Sequence, residues 1–271
     1  DLVVEGKLLD RAHSPRLWQE LRTICARVGT SPPDHVIVGI DDNFFVTEMP
    51  VKVDDTIYRG RTLFISLALL KQMHRAEADG VLAHEMAHFS GDDTFYTKKT
   101  GPLLLRYAAY LQVLYENPVA RPTFYFMHCF RALFELSLGE HSRQREFRAD
   151  RIAAEASTPR DFASALLRIS AYSEFRRNVQ NEFFQQERAM ESANISARLE
   201  QGFHDYALSF ASKPDLAGMA VSHPFDSHPP LAQRMNALGI ALTAEESRRL
   251  VATQGDGRWY ATIENASEIE R

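Results

Sequence analysis

Residues 84–88 read His-Glu-Met-Ala-His, and no other stretch constrains the chain as strongly. On an α-helix, positions i and i+4 project from one face, so His84 and His88 can reach a single metal ion. Glu85 lies beside that face, where a carboxylate can take a proton from a water activated by the ion. Two helix histidines that hold zinc and a neighbouring carboxylate that acts as general base form the working core of zinc hydrolysis. The flanks suit a buried helix. Glu77, Val81, Leu82, Met86 and Phe89 surround the motif, and Ala78, Ala83 and Ala87 supply small, helix-favouring packing positions. Two solvent-exposed histidines would need no such apolar bed. Gly91 followed by Asp92-Asp93 reads as the stop of this helix.

Composition narrows the partners. A net charge of −5 argues against a nucleic-acid binder that relies on a basic surface. Cys25 and Cys129 do not make a disulfide framework, and neither has a metal-like neighbour. No apolar run is long enough to span a bilayer. The start at Asp1 is that of an excised or processed fragment. The expectation is a soluble domain, cytoplasmic or anchored on the cytoplasmic face of a membrane through segments outside this chain.

The order of elements predicts an α+β, mostly helical fold. Leu17, Leu21, Ile24 and Val28 recur at helical spacing over 15–28, and Gly29 with Thr30-Ser31-Pro32-Pro33 turns the chain. His35–Ile40, Phe44–Glu48 and Arg61–Ser66 read as strands, and Ser66 as the N-cap of a helix to about His74. A small sheet in the N-terminal half packs on the metal-binding helix, and its edge strand can pair with an extended peptide over the ion. Beyond it the chain is helical. Residues 103–115 and 124–138, split by Asn117-Pro118 and Arg121-Pro122, predict a helical hairpin inserted at about 101–139 into a single domain spanning 1–271. That hairpin reads as two core helices, as a cap over the site, or as a membrane-touching device. The shortness of each run favours core or cap. Further helices are expected over 141–156, from Asp161 to about Val179 with Phe162, Leu166 and Ile169 inward, around Arg234, and from near Thr243. Residues 182–201, rich in Gln and Glu, read as a solvated helix or mobile loop.

A catalytic zinc needs a third protein ligand. Glu146 is the best candidate, with Asp150 four residues on along the same face, suited to accept the free N–H of a ligand histidine. The alternative is a solvated charged helix paired with Arg145, Arg148 and Arg151. The series His84-Glu85-x-x-His88, Glu146-x-x-x-Asp150 and His228-Pro229-Pro230 with Arg234 resembles gluzincin metallopeptidases of the HtpX and CAAX prenyl protease type. Asn43-Phe44-Phe45 stands where that family carries an Asn-Ala-Phe edge-strand motif, with Phe44 at the Ala position. The resemblance covers about Pro15 to Gly239. It implies a zincin-like fold and one Zn²⁺ per chain held by His84, His88 and Glu146. It also implies Glu85 as base, Asp150 as the orienter of a ligand histidine, and Arg234 as a brace, with Asp150 its candidate ion-pair partner. Asn43, Phe44 and Phe45 become the substrate strand. His228 takes the place of a histidine that acts on the tetrahedral intermediate or gates the metal.

The resulting expectation is a zinc endopeptidase acting on proteins or peptides, with membrane-associated or misfolded substrates among the candidates and a membrane surface as a possible partner. One rival is hydrolysis of a non-peptide amide. Another is a catalytically silent, chaperone-like zinc module, against which an intact Glu85 argues, because structural zinc needs no base.

Overall fold

The helix built on residues 15–28 is ended by Gly29, whose φ of 77° is the left-handed conformation that glycine adopts without strain. Around it, a computed structural model describes residues 2–90, 93–185, 195–213, 216 and 228–270. In chain order the elements are β1 (Leu2–Val3), β2 (Lys7–Leu8), α1 (Pro15–Val28), β3 (His35–Gly39), β4 (Phe45–Thr47), β5 (Val51–Val53), β6 (Thr56–Tyr58) and β7 (Thr62–Ser66). The helices α2 (Leu67–Gln72), α3 (Arg75–Ser90), α4 (Asp93–Glu116), α5 (Arg121–Ala156), α6 (Pro159–Gln185) and α7 (Ile195–Phe210) follow, then α8 (Leu231–Ala237), α9 (Ala244–Val251) and α10 (Ala266–Ile269). With 63% of the structure helical and the strands confined to its first quarter, the architecture is α+β and mostly helical, as expected.

Two sheets form where one was expected. A four-stranded sheet has the order β2-β3-β7-β4, with β3 parallel to β7 and β4 antiparallel to it at the edge. A three-stranded sheet runs β1-β5-β6. Alternation along the strands explains why both exist. Val36, Val38, Val46, Leu63 and Ile65 join the core that holds Val81, Leu82 and Met86 of α3. Their neighbours Ile37, Phe45 and Phe64 point the other way and pack with Val51 and Val53 of the second sheet. The four-stranded sheet is therefore buried on both faces, and each of those side chains contributes roughly 1.5–3 kcal/mol of burial.

The central helix α3 is enclosed on all sides. Its N-terminus is closed by Glu77, which accepts the His74 backbone N–H at 2.7 Å. A Cβ on Gly80 would lie 2.8 Å from Ser157 Oγ, so glycine is what lets the α5–α6 turn approach this closely. Ser66 caps α2 by accepting the Leu69 N–H at 3.2 Å, and Thr243 caps α9 in the same way.

The hairpin differs from expectation. Its second arm does not end near 138 but runs on into the charged segment as one 36-residue helix, α5, roughly 54 Å long. A lone Gly139 costs about 1 kcal/mol, too little to stop a helix packed at its far end. The core reading of this hairpin does not hold. Leu111 and Leu114 are buried between the arms, whereas Phe126 is 72% and Leu133 67% exposed. Nor, among the described residues, does any of 101–139 line the cleft beside His84. Among the described residues, no helix is long and apolar enough to cross a membrane. The expected helix stop at Gly91-Asp92, residues 186–194 of the polar segment 182–201 and the segment ahead of His228 lie outside the described residues.

Candidate metal centre

Two helices supply the centre. His84 and His88 come from one face of α3, and Glu146 with Asp150 from the facing side of α5. His84 Nε2 and His88 Nε2 stand 3.3 Å apart. Glu146 reaches both, with Oε2 3.6 Å from His84 Nε2 and Oε1 3.5 Å from His88 Nε2. A tetrahedral divalent ion with nitrogen and oxygen ligands at about 2.0–2.2 Å spaces those atoms about 3.3–3.6 Å apart. The two histidine nitrogens and the Glu146 carboxylate, which turns a different oxygen to each, therefore converge at spacings that such an ion requires. His228 adjoins the same group. One ligand atom each from His84, Glu146 and His228 lies within 4.8 Å of the others, and His228 Nδ1 hydrogen-bonds Glu146 Oε2.

Behind the ligand set is a braced carboxylate. His84 Nδ1 lies 3.0 Å from Asp150 Oδ1, and Arg234 Nε donates to Asp150 Oδ2 at 2.9 Å. His84 thus turns Nδ1 to the Asp150 carboxylate and Nε2 to the cluster. Arg234 is 2% and Asp150 1% exposed, so each charge depends on the other. Arg148 donates to the Ala87 carbonyl at 3.2 Å, tying α5 to the last turn of α3.

Burial and charge set the protonation states. Burial pushes His84 down to about 4, against the pull of Asp150 and Glu146, so its imidazole is neutral, as a metal ligand must be. Burial also raises Glu85 to about 8, with Glu146 adding to the shift and His88 opposing it. Burial works against ionisation of Glu146, but the hydrogen bond and charge of His228, then His84 and His88, hold its carboxyl well below the usual range. Asp150 is likewise opposed by burial, yet Arg234 brings it down to about 2. Glu85 Oε2 is buried and has no hydrogen-bond partner among the described residues. A carboxylate oxygen held without a partner beside three convergent ligand atoms suits a resident cation and its water.

The strand expected to meet substrate is divided between two faces. Asn43 and Phe44 line the cleft beside His84 and Glu85. Phe45 does not, since its ring stacks on Phe64 at 5.0 Å in the second core. Sequence reasoning also missed the ion pair that anchors α3. Arg168 Nε donates to Glu77 Oε1 at 2.9 Å with both residues buried, and Ser164 bonds the same carboxylate. An arginine inside the apolar run Leu166-Leu167-Arg168-Ile169 was the available signal, because a charge there requires a buried partner.

Comparison with known proteins agrees with this geometry. The profile of Peptidase family M48 matches residues 21–240, which include every residue of the cluster. The chain belongs to peptidase family M48. Peptidases of this family are metal-dependent, and the clustered imidazoles and carboxylate suit such an ion. It is 30% identical over 168 residues to a protein named Protease HtpX homolog from Fusobacterium nucleatum, covering 56% of this chain and 52% of that one. A Bacillus subtilis protein of the same name is 34% identical over 123 residues, 40% of this chain and 41% of the relative. The Nitrosomonas europaea homolog is 27% identical over 192 residues, covering 65% and 56%. The chain thus spans about half the length of the curated relatives it matches. No solved structure matches it.

Proposed function

We propose that this M48 chain is a zinc-dependent endopeptidase, with His84, His88 and Glu146 as the metal ligands. The observation that carries the reading is the 3.3 Å approach of His84 Nε2 and His88 Nε2, each within 3.6 Å of a different Glu146 carboxylate oxygen, beside the unpartnered Glu85 Oε2. Zinc at that position would polarise the scissile carbonyl and make water acidic enough to deprotonate near neutral pH. Glu85 takes the proton of the attacking water on Oε2 and returns it to the leaving amine. Its raised pKa of about 8 belongs to the protein alone, and a cation alongside would bring it back toward the ionised form a base requires. Asp150 and Arg234 hold His84 in the ligating tautomer. His228, buried against Glu146, donates a hydrogen bond to the developing oxyanion. The edge strand β4, entered through Asn43 and Phe44, holds the peptide extended. A catalytically silent zinc module would have no use for a buried, unpartnered carboxylate.

The test is casein hydrolysis with and without chelator and added zinc, alongside Glu85→Gln. That substitution keeps size and polarity but removes the base, so zinc content and fold should persist while activity falls at least roughly 10²-fold. Near-normal hydrolysis by the variant would remove Glu85 from the mechanism.

A second element of the proposal concerns the hairpin, which we treat as an insertion into a single metallopeptidase domain. Large apolar side chains cluster on its outer surface, among them Tyr110, Val113, Val119, Phe126, Phe130 and Leu133. Residues 93–139 carry five basic against three acidic side chains in a chain of net charge −5. An aromatic surface beside the exposed Arg106 and Arg121 suits docking on anionic lipid without crossing it.

A further inference from the structure

The cleft beside the centre has a shape of its own. Val81, one turn before Glu85 on α3, forms one wall, and Phe162, Leu166 and Ile169, at i, i+4 and i+7 on α6, form the other. Phe44 closes the strand side. The polar lining comes from Asn43, His84, Glu85, His228 and Arg234, while neither His88 nor Glu146 lines the space, so the cleft lies to one side of the ligand set. Arg234 is already committed to Asp150, which leaves no free cation in the lining to recognise an acidic group. Phe162 also stacks on the His84 ring at 5.6 Å, making its wall continuous with the ligand itself. The cleft holds only about 30 Å³. At roughly 10–15 Å³ for each water-sized probe, that is room for two or three heavy atoms.

We propose that this cleft is the pocket for the side chain of a substrate residue flanking the scissile bond, and that its walls restrict that residue to a small aliphatic one. The inference rests on the endopeptidase reading above for the position of the scissile bond. The physical selection is simple. Along Val81, Phe162, Leu166 and Ile169 a charged or amide side chain would lose its water without gaining a partner. Close packing around Phe162 and Leu166, which are 1% and 3% exposed, leaves little space for extra methylenes. A misfitting methylene in such a pocket typically costs roughly 10-fold or more in kcat/KM. Ile169, 7% exposed and nearest the surface of the α6 residues in the wall, sets the depth.

Two measurements test the pocket. In the first, the zinc-loaded chain digests casein and a peptide library, and cleavage sites are read by mass spectrometry. Wild type should favour Ala and Val at one flanking position, with Phe, Leu and Lys there lower by at least roughly 10-fold in kcat/KM. Ile169→Ala should admit Leu and Phe at that position, whereas Ile169→Phe should restrict it to Gly and Ala. Equal use of Ala, Phe and Lys at both flanks, or an unchanged profile in both variants, overturns the proposal. The second measurement needs no hydrolysis. The Ile169 methyl resonance should shift on adding N-acetyl-valinamide and stay in place with N-acetyl-phenylalaninamide. A methyl response without any proteolysis would sink the endopeptidase reading and keep the pocket, and an equal response to both amides, or to neither, would sink the pocket.

Discussion

The two halves of α5 invert the usual distribution of side chains. Toward its N-terminus, Tyr125, Phe126, Phe130 and Leu133 stand out in solvent at 61%, 72%, 56% and 67% exposure. Toward its C-terminus, Glu146 and Asp150 are buried at 2% and 1%. A helix that shows its oil and hides its charge has no stability motive for either half. The buried half is charged because its carboxylates converge with imidazoles from α3 and a guanidinium from α8. The exposed half is apolar where, among the described residues, nothing covers it. The proposed function accounts for both departures, with a metal and peptide at one end and a lipid surface at the other.

The largest expected effect breaks the inner half. His84→Ala combined with His88→Ala should reduce zinc from about one per chain to near zero and abolish peptidase activity, as read by elemental analysis and casein cleavage. Unchanged zinc would move the metal elsewhere. Asp150→Asn comes next. It leaves Arg234 buried without its charge partner, a change that costs about 3–5 kcal/mol in comparable pairs, and should weaken zinc binding roughly 10–100-fold. The same contact dictates an acid limit. Asp150 titrates near 2 in the folded chain and near ~3.9 when unfolded, so its stabilisation is full above about pH 4 and fades as pH falls toward 2. Denaturant melts of wild type and Asp150→Asn across that window should converge at low pH, and parallel curves would dismiss the pair as a stabiliser.

His228→Ala sharpens the division between binding and reacting groups. With zinc content intact, kcat should fall if the imidazole serves the transition state. A rise would instead identify His228 as a gate that occupies the metal's open position. The smallest effect on the fold belongs to the outer half. Phe126→Ser with Phe130→Ser should alter stability by about 0.5 kcal/mol or less, as exposed substitutions do, yet reduce flotation with anionic liposomes. A marked loss of stability would mean that these rings are covered in the folded chain, and flotation equal to wild type would detach the hairpin from any lipid role.

Much of the architecture was legible because periodicity and punctuation are local. α1 begins and ends at the expected residues, Ser66 caps the helix expected of it, a helix starts at Thr243 as expected, and β4 lies at the sheet edge. The strands Val51–Val53 and Thr56–Tyr58 went unread although Val-Lys-Val-Asp-Asp-Thr-Ile-Tyr alternates around a turn, with Asp54 at a φ of 51°. Their short length hid them beside longer runs. The join of the hairpin to the charged helix was missed for a different reason. A single glycine in a long helical pattern is ambiguous until the packing on either side of it is known.

By itself the sequence determined which residues are chemically able to act. His84, Glu85 and His88 are tied together by helix geometry, as are Glu146 and Asp150, because a four-residue spacing fixes a shared face before any tertiary contact forms. Tertiary structure alone decided which atoms meet. The distance from Glu146 to His84 and His88, the seating of His228 on Glu146, and the turn of Phe45 away from the cleft all follow from how α5 and the sheet dock on α3. So does the conversion of Phe162, Leu166 and Ile169 from an inner helix face into the wall of a cleft. These depend on long-range packing of surfaces far apart in the chain, and no local pattern encodes the distance between two helices.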